Sequence, residues 1–446
     1  MSTMLATAFR EQMRQTKDFS KMSEMNYSVS YGTGFLPLDY ATGYIQEIDG
    51  KYKYELGLSD GSINTLIGNA GTGKTSLLVA MACSIIKRFK HSAIFFEQAE
   101  VGTNIQRIKN LSGLRENTDF TDRFIVRDAG ITIESIFKRV VAIHDIKLSR
   151  PDLYLYDTGM LDMMGKPVLK FEPTIFIVDS IKLVLSEKNT EAMEMNNMSG
   201  AVNAKTNSEY YTKMVPLCRE ANIIMILVNH ITPKVNTSFI PEKSEFPYLS
   251  QHEHLSNAKL LQYISNLMMR LDIKAKLDPK DDKNPFGISG TLVSVDIVKS
   301  RTNKSGRSRC MLVFDQDIGF DPDLSMFLML KQNAILEGQG RYRIPDCDIK
   351  FTARNFKQTL YSNPEFYKAF NMFCFKYISS LLLDEYERVK RETDIISSGK
   401  SAYDAILEQF SSIGPVDKAK LDTKKKSKVD EEPEIQPEIT DLDQIM

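Results

Sequence analysis

The chain has no dominant charge: 57 lysines and arginines stand against 58 aspartates and glutamates, a formal net charge of −1. Binding to nucleic acid or to acidic membranes through global basicity is therefore excluded, and any nucleic-acid site has to be local. Cysteine is scarce and scattered. Cys83, Cys218, Cys310, Cys347 and Cys374 are odd in number and form no C-x-x-C pair. They argue against a disulfide framework or a zinc site built on them, and they fit a reducing compartment. No apolar run reaches the roughly 18 residues that mark a spanning helix. The start, Met1-Ser2-Thr3-Met4, lacks the basic-then-apolar pattern of a secretory signal. The expectation is a cytoplasmic protein (host cytoplasm if viral) with no membrane partner.

What is present is a phosphate-binding pattern. Gly68-Asn69-Ala70-Gly71-Thr72-Gly73-Lys74-Thr75 fits G-x-x-x-x-G-K-[ST] at every required position. Ser62–Ile67 reads as a short buried strand before it, and Ser76–Phe89 as a helix after it. A strand, a glycine loop and a helix N-terminus make an anion site, because backbone N–H groups wrap a phosphate and the helix dipole adds partial positive charge. In this pattern Lys74 reaches the β- and γ-phosphates of ATP and the Thr75 hydroxyl ligates Mg²⁺, with Ser76 beside them.

A chain of 446 residues, 42 % of them hydrophobic, suits about two to three folded domains. Residues 1–30 read as a polar helical arm, a candidate polymerisation segment. From about 59 to 321, apolar strand-like runs alternate with helical segments; the runs are 93–96, 123–126, 174–178, 223–228, 267–273, 292–298 and 310–314. Early strand–helix alternation predicts an α/β core, a mostly parallel sheet with helices on both faces. The later strand-rich part predicts an antiparallel extension. From Met326 to about Phe410 the pattern is mostly helical. Phe366, Phe370, Phe373 and Phe375 are expected in a core because they are so dense. The end is of low complexity. Lys424-Lys425-Lys426-Ser427-Lys428 precedes a stretch from Asp430 onward with seven acids and no base, which cannot bury a core and is expected to be disordered.

Further chemistry gathers around the glycine loop. Phe176-Ile177-Val178-Asp179 is an apolar strand ending in an acid, which can hold the water shell of Mg²⁺ opposite Thr75. The strand Ile94-Phe95-Phe96 delivers Glu97 and Glu100 to the carboxyl end of the sheet, where ligands bind in such folds. Either can orient an attacking water, and local alignment selects Glu100. The strand Ile223–Val228 ends in Asn229-His230, which sets His230 to sense a γ-phosphate. Lys299 and Arg301 lie two residues apart at a strand end and point the same way. They suit a finger that stabilises charge on ATP.

Together these elements resemble the RecA family of recombinases, most closely the UvsX-like recombinases of large bacteriophages. Residues 33–43, from Thr33-Gly34-Phe35 to Ala41-Thr42-Gly43, are similar to the segment that introduces the family's ATPase core. Glu100-Val101-Gly102 is similar to its catalytic-glutamate turn, with one residue inserted before it. Val178-Asp179-Ser180 matches the Walker B end, and Asn229-His230 the phage form of the sensor position. Lys299-Ser300-Arg301-Thr302 matches the phage finger, and Gly319-Phe320-Asp321-Pro322 the turn after the next hairpin. The resemblance covers about residues 30–345.

It implies a RecA-like ATPase core over 31–345, flanked by the arm 1–30, a helical domain 346–415 and a disordered basic-then-acidic tail 416–446. It also implies two DNA-facing loops, about 186–208 and 231–256. Lys205 is the DNA contact in the first, and Lys234 and Asn236 are those in the second. The second loop departs from the family, since Leu255-Ser256 precedes Asn257-Ala258 where a Gly-Gly pair is usual. The implied activity is DNA-stimulated ATP hydrolysis by a helical filament on single-stranded DNA. Such a filament pairs with double-stranded DNA and exchanges strands in recombination and repair. ATP and Mg²⁺ would lie between protomers, with Lys74, Thr75, Asp179 and Glu100 from one and Lys299 and Arg301 from the next. Mediator and single-strand-binding proteins are the implied partners. A hexameric RecA-fold helicase of the DnaB type uses a similar loop and finger; the short arm and the segment 33–43 favour the recombinase. A non-catalytic nucleotide-gated adaptor is the third reading.

Overall fold

Strand Thr174–Asp179 is buried at every position. A strand covered on both faces has no polar side to show, so its sequence is a continuous apolar run rather than an alternating one. Ile223–Asn229 is the same, and Ile63–Gly68 is likewise buried throughout, with Asn64 and Thr65 buried in hydrogen bonds to Ser62 and Ser265. These strands form the middle of a ten-stranded sheet in a computed structural model that describes residues 28–48, 50–100, 105–112, 122–161, 165–187, 197–234, 244, 246–281, 284–302 and 309–398.

Numbered along the chain, the strands of this sheet are β1 (Ile63–Gly68), β2 (Ile94–Gln98), β3 (Phe124–Arg127), β4 (Thr174–Asp179) and β5 (Ile223–Pro233). There follow β6 (Glu253–Leu255), β7 (Leu267–Leu277), β8 (Gly290–Ser300), β9 (Arg309–Asp315) and β10 (Gly319–Asp321). Their order is β10-β9-β8-β7-β1-β5-β4-β2-β3, with β6 paired to β5. From β7 to β3 all neighbours are parallel. From β7 to β10 they are antiparallel. The expected mixed α/β architecture, with its antiparallel extension, is present.

The period of two along β4 divides the core. Ile175 and Ile177 face the helix Lys74–Ile86, whose Leu77, Leu78 and Met81 pack with Phe96, Ile224 and Ile226. Phe176 and Val178 face the helices Ile133–Ser149 and Asn197–Glu220, which contribute Ile136, Val140, Tyr211, Met214 and Cys218. Burying each such Leu, Ile or Phe contributes about 1.5–3 kcal/mol. The helix Lys74–Ile86 ends against Arg123, whose guanidinium donates to the carbonyls of Ile86, Phe89 and Ser92. A cation there satisfies terminal carbonyls and complements the dipole.

A further apolar cluster joins the antiparallel extension to the chain after it. Val313, Leu324, Phe327, Phe351, Phe356, Phe366 and Phe370 share it. Phe366 and Phe370 are thus core, as expected, and Phe373 is partly buried against them. Phe375 is 62 % exposed, which corrects its expected core position: the helix Pro364–Ser398 buries Phe366, Phe370, Cys374 and Ile378 at three-to-four-residue spacing, and Phe375 falls off that stripe. After Met326 the described chain is mostly helical, as expected, with one interruption. The helix Pro322–Gln332 stops, and the chain from 333 to 355 is irregular before the helix Phe356–Ser362. Gly338 and Gly340 there are left-handed, at φ 97° and 71°. Compactness groups residues 1–386 as one unit and 387–446 as another. Among the described residues no helix is long and apolar enough to cross a membrane.

Candidate functional site

The register of the parallel strands levels their carboxyl ends. Asp179 of β4 lies opposite Gln98 of β2, and His230 of β5 lies opposite Gly68 of β1. Residues that follow these strands therefore meet at one edge of the sheet. The glycine loop 68–75 leaves β1 at that edge. Gly71 and Gly73 adopt left-handed φ of 78° and 84°, which non-glycine side chains disfavour. Asn69, Ala70 and Gly71 are exposed, and Thr72 donates to the Asn69 carbonyl at 2.9 Å. Lys74, Thr75 and Ser76 form the first turn of the helix Lys74–Ile86.

Lys74 is only 4 % exposed, and its ammonium donates to the carbonyls of Gly68 and Asn69 at 3.0 and 2.7 Å. Burial pulls its pKa down to about 8, against the opposing pull of Asp179 and Glu100. The Thr75 hydroxyl donates to Asp179 Oδ2 at 2.6 Å. Asp179 is 3 % exposed, and its other oxygen, Oδ1, is buried with no hydrogen-bond partner. Burial raises the pKa of this carboxyl; the Thr75 hydrogen bond opposes that, and the charge of Glu100 adds to it. Glu100 donates its backbone N–H to the Asp179 carbonyl at 3.0 Å, and its Oε2 lies 2.9 Å from His230 Nε2. One ligand atom from each of Glu100, Asp179 and His230 lies within 4.8 Å of the others.

The two candidate glutamates part company here. Glu97 lies within β2, buried, with Oε2 2.5 Å from Arg139 of the helix Ile133–Ser149. Burial raises its pKa, and the Arg139 charge opposes the shift. Glu100 is 48 % exposed and stands beside Asp179 and His230. Asn229 is fully buried within β5; its amide donates to the Ser256 carbonyl and its oxygen accepts the His230 N–H.

Lys299 and Arg301 stand apart from this cluster. They reach the carbonyls of Gln262 and Tyr263, the last turn of the helix Ala258–Ile264. Burial and the charge of Arg301 lower the Lys299 pKa. The Arg301 N–H donates to Asn266, whose N–H donates to Ile63. Arg301 is thus level with the first residue of β1, whereas the glycine loop follows the last. At about 3.3 Å per residue, the ends of β1 are roughly 16 Å apart. Lys299 and Arg301 lie at the amino edge of the sheet and the glycine loop at the carboxyl edge.

The described end of the expected loop 186–208 is helix from residue 197 on: Lys205 sits, exposed, on Asn197–Glu220. Tyr211, Met214 and Cys218 anchor that helix at helical spacing, and propagation toward its N-terminus adds one hydrogen bond per residue. The expected loop 231–256 opens and closes as strand, with Ile231, Thr232 and Pro233 paired to Leu255, His254 and Glu253. Lys234 follows directly, its N–H donating to the His252 carbonyl at 2.7 Å. Asn236 lies outside the described residues. Asn257, just after Leu255-Ser256, is left-handed at φ 57°. Asparagine is among the few residues with side chains that tolerate this, so it serves where a glycine pair was expected. Lys205 and Lys234 do converge. Together with Ser208, His254, Lys259 and Tyr263 they line a cleft of about 700 Å³.

Sequence reasoning missed Arg139 and Arg270. Arg270 binds both oxygens of Glu253 at 2.9 Å, is 3.1 Å from Asp272, and donates to the Tyr248 carbonyl. It ties the segment 248–253 to β7. The one available signal was a cation inside the apolar run Leu267–Leu271.

No protein-family model matches the chain, and no curated protein sequence matches it.

Proposed function

We propose that the chain is an ATP-dependent DNA recombinase of the RecA type, nearest to the UvsX-like recombinases, and that it hydrolyses ATP between protomers of a filament on single-stranded DNA. The observation that carries this reading is the meeting of Lys74, Thr75, Asp179, Glu100 and His230 at the carboxyl edge of a mostly parallel sheet. The strand order with its antiparallel extension is compatible with a RecA-like core.

On this reading, the glycine-loop N–H groups and Lys74 hold the phosphates. The Thr75 hydroxyl and the unpartnered Asp179 Oδ1 are hard oxygen donors, the kind Mg²⁺ takes directly or through water. Bound Mg²⁺ would neutralise phosphate charge during transfer. Glu100, exposed and within reach of His230, orients the attacking water. His230 reports the γ-phosphate to the segment after β5. Lys299 and Arg301, at the opposite edge, serve the next protomer's nucleotide in a head-to-tail, non-closing assembly. Lys205 and Lys234 contact the DNA backbone. ATP favours the DNA-binding state, and hydrolysis releases it.

The test is electron microscopy of the protein with single-stranded DNA and a non-hydrolysable ATP analogue. Regular helical filaments are expected. Closed hexameric rings would instead favour the helicase reading, and neither assembly with no DNA-stimulated ATP turnover would remove both.

A further inference from the structure

We propose that Glu100, Asp179 and His230 also form a nucleotide-independent site for one divalent transition-metal ion of the Zn²⁺ class. The argument starts from the donor set. An imidazole nitrogen and two carboxylate oxygens suit a borderline metal, whereas Mg²⁺ and Ca²⁺ prefer oxygen alone. Their ligand atoms lie within 4.8 Å of one another. Zinc bonds of about 2.0–2.2 Å place ligands about 3.5 Å apart, so the cluster has to close by only about 1 Å. Glu100 has the freedom to do so, being 48 % exposed at a strand exit, whereas Asp179 is fixed inside.

An independent observation points to a ligand. Asp179 Oδ1 is buried and has no hydrogen-bond partner, while Oδ2 takes the Thr75 hydroxyl. An ionised oxygen in that state is costly unless a cation faces it. The charge balance agrees. The carboxylates of Asp179 and Glu100 together carry more negative charge than the neighbouring Lys74 offsets, and a dication would neutralise it. The His230–Glu100 hydrogen bond, 2.9 Å long, already brings an imidazole nitrogen and a carboxylate oxygen together; the metal would take the place of the proton between them, and this pair would open slightly as it binds. On the ATPase reading above, such an ion would withhold both carboxylates from the nucleotide and inhibit turnover; binding itself does not rest on that reading.

The experiment is calorimetric titration of ZnCl₂ into the full chain without nucleotide, in a large excess of Mg²⁺. One Zn²⁺ per chain is expected. His230→Asn and Glu100→Gln should each weaken it by about 100-fold or more, beyond the 10–100-fold typical of losing an outer-shell partner. Cys347→Ser, the control for the half-buried thiol, should leave it unchanged. Thermal melts check folding, and if His230→Asn is unfolded the exposed Glu100 variant carries the test. The proposal is overturned by the absence of stoichiometric binding, by binding that survives both variants, or by binding lost with Cys347→Ser. None of these outcomes touches filament formation or ATP turnover in Mg²⁺, so the two readings fail separately.

Discussion

The two edges of the central sheet hold charge in different ways. At the carboxyl edge the ionisable groups are buried or half-buried and joined to one another: Lys74 to loop carbonyls, Thr75 to Asp179, Glu100 to His230. At the amino edge, among the described residues, Lys299 and Arg301 have carbonyls of a helix C-terminus as partners. Both edges thus hold their cations on carbonyl dipoles. The difference is that Lys74 is buried beside the carboxylates of Asp179 and Glu100, which favour its charged form against burial. The second edge is a pair of cations set against the last carbonyls of the helix Ala258–Ile264. On the proposed reading, this division would supply a half-site from one protomer and a finger from the next.

The largest effect should come from breaking the carboxyl-edge set at its cation. Lys74→Ala removes the charge that offsets phosphate, so ATP turnover should fall by about 10²–10³-fold or more. The fold should survive, because the ammonium serves loop carbonyls and ligand rather than the core. Steady-state turnover and a thermal melt check both halves, and near-normal turnover in the folded variant would remove the site.

Next in size is the contrast between the glutamates. Glu100→Gln should keep ATP binding and slow hydrolysis by about 10²-fold, the scale of losing a water-positioning group. Glu97→Gln should act on stability instead, costing about 1–3 kcal/mol by weakening a buried charge-assisted pair with Arg139. Exchanged phenotypes would show that the wrong glutamate was assigned to the water.

The smallest effects belong to the cleft. Lys205→Ala and Lys234→Ala should each weaken single-stranded DNA binding and lower the slope of log K against log salt by about 0.7, one phosphate contact each. An unchanged slope in both would place the DNA path elsewhere.

Much of this organisation is legible in the sequence, for physical reasons. Strands covered on both faces read as near-continuous apolar runs, so β4 and β5 stand out, and the polar residues at their ends mark the carboxyl edge; β1, which buries Asn64 and Thr65, is marked instead by the glycine loop that follows it. The glycine loop is legible because left-handed turns require glycine at fixed positions. The segments 197–208 and 333–355 were misjudged for complementary reasons. The first is a polar extension of a helix anchored farther along, so its own composition carries no apolar period. The second sits among helix-like apolar residues, but glycines at 338 and 340 and tertiary packing of Phe351 override the local preference. Arg123, Arg139 and Arg270 were invisible because their partners Ser92, Glu97 and Glu253 lie 17 to 42 residues away. A lone arginine in sequence does not announce which carbonyl or carboxylate it will meet. The choice between Glu97 and Glu100 was open for the same reason, since Arg139 is what separates them.

The division between edges is tested most directly by mixing two variants. Lys74→Ala lacks a working half-site but keeps its finger, and Arg301→Ala keeps the half-site but lacks the finger. Each alone should have little DNA-stimulated ATPase activity. In an equimolar mixed head-to-tail assembly, about a quarter of interfaces combine the intact halves. The account predicts that turnover, measured against mixing ratio, rises to a maximum near equal proportions, well above the sum of the separate variants. A flat line at that sum, with both variants folded and still assembling on DNA, would contradict a site shared between protomers.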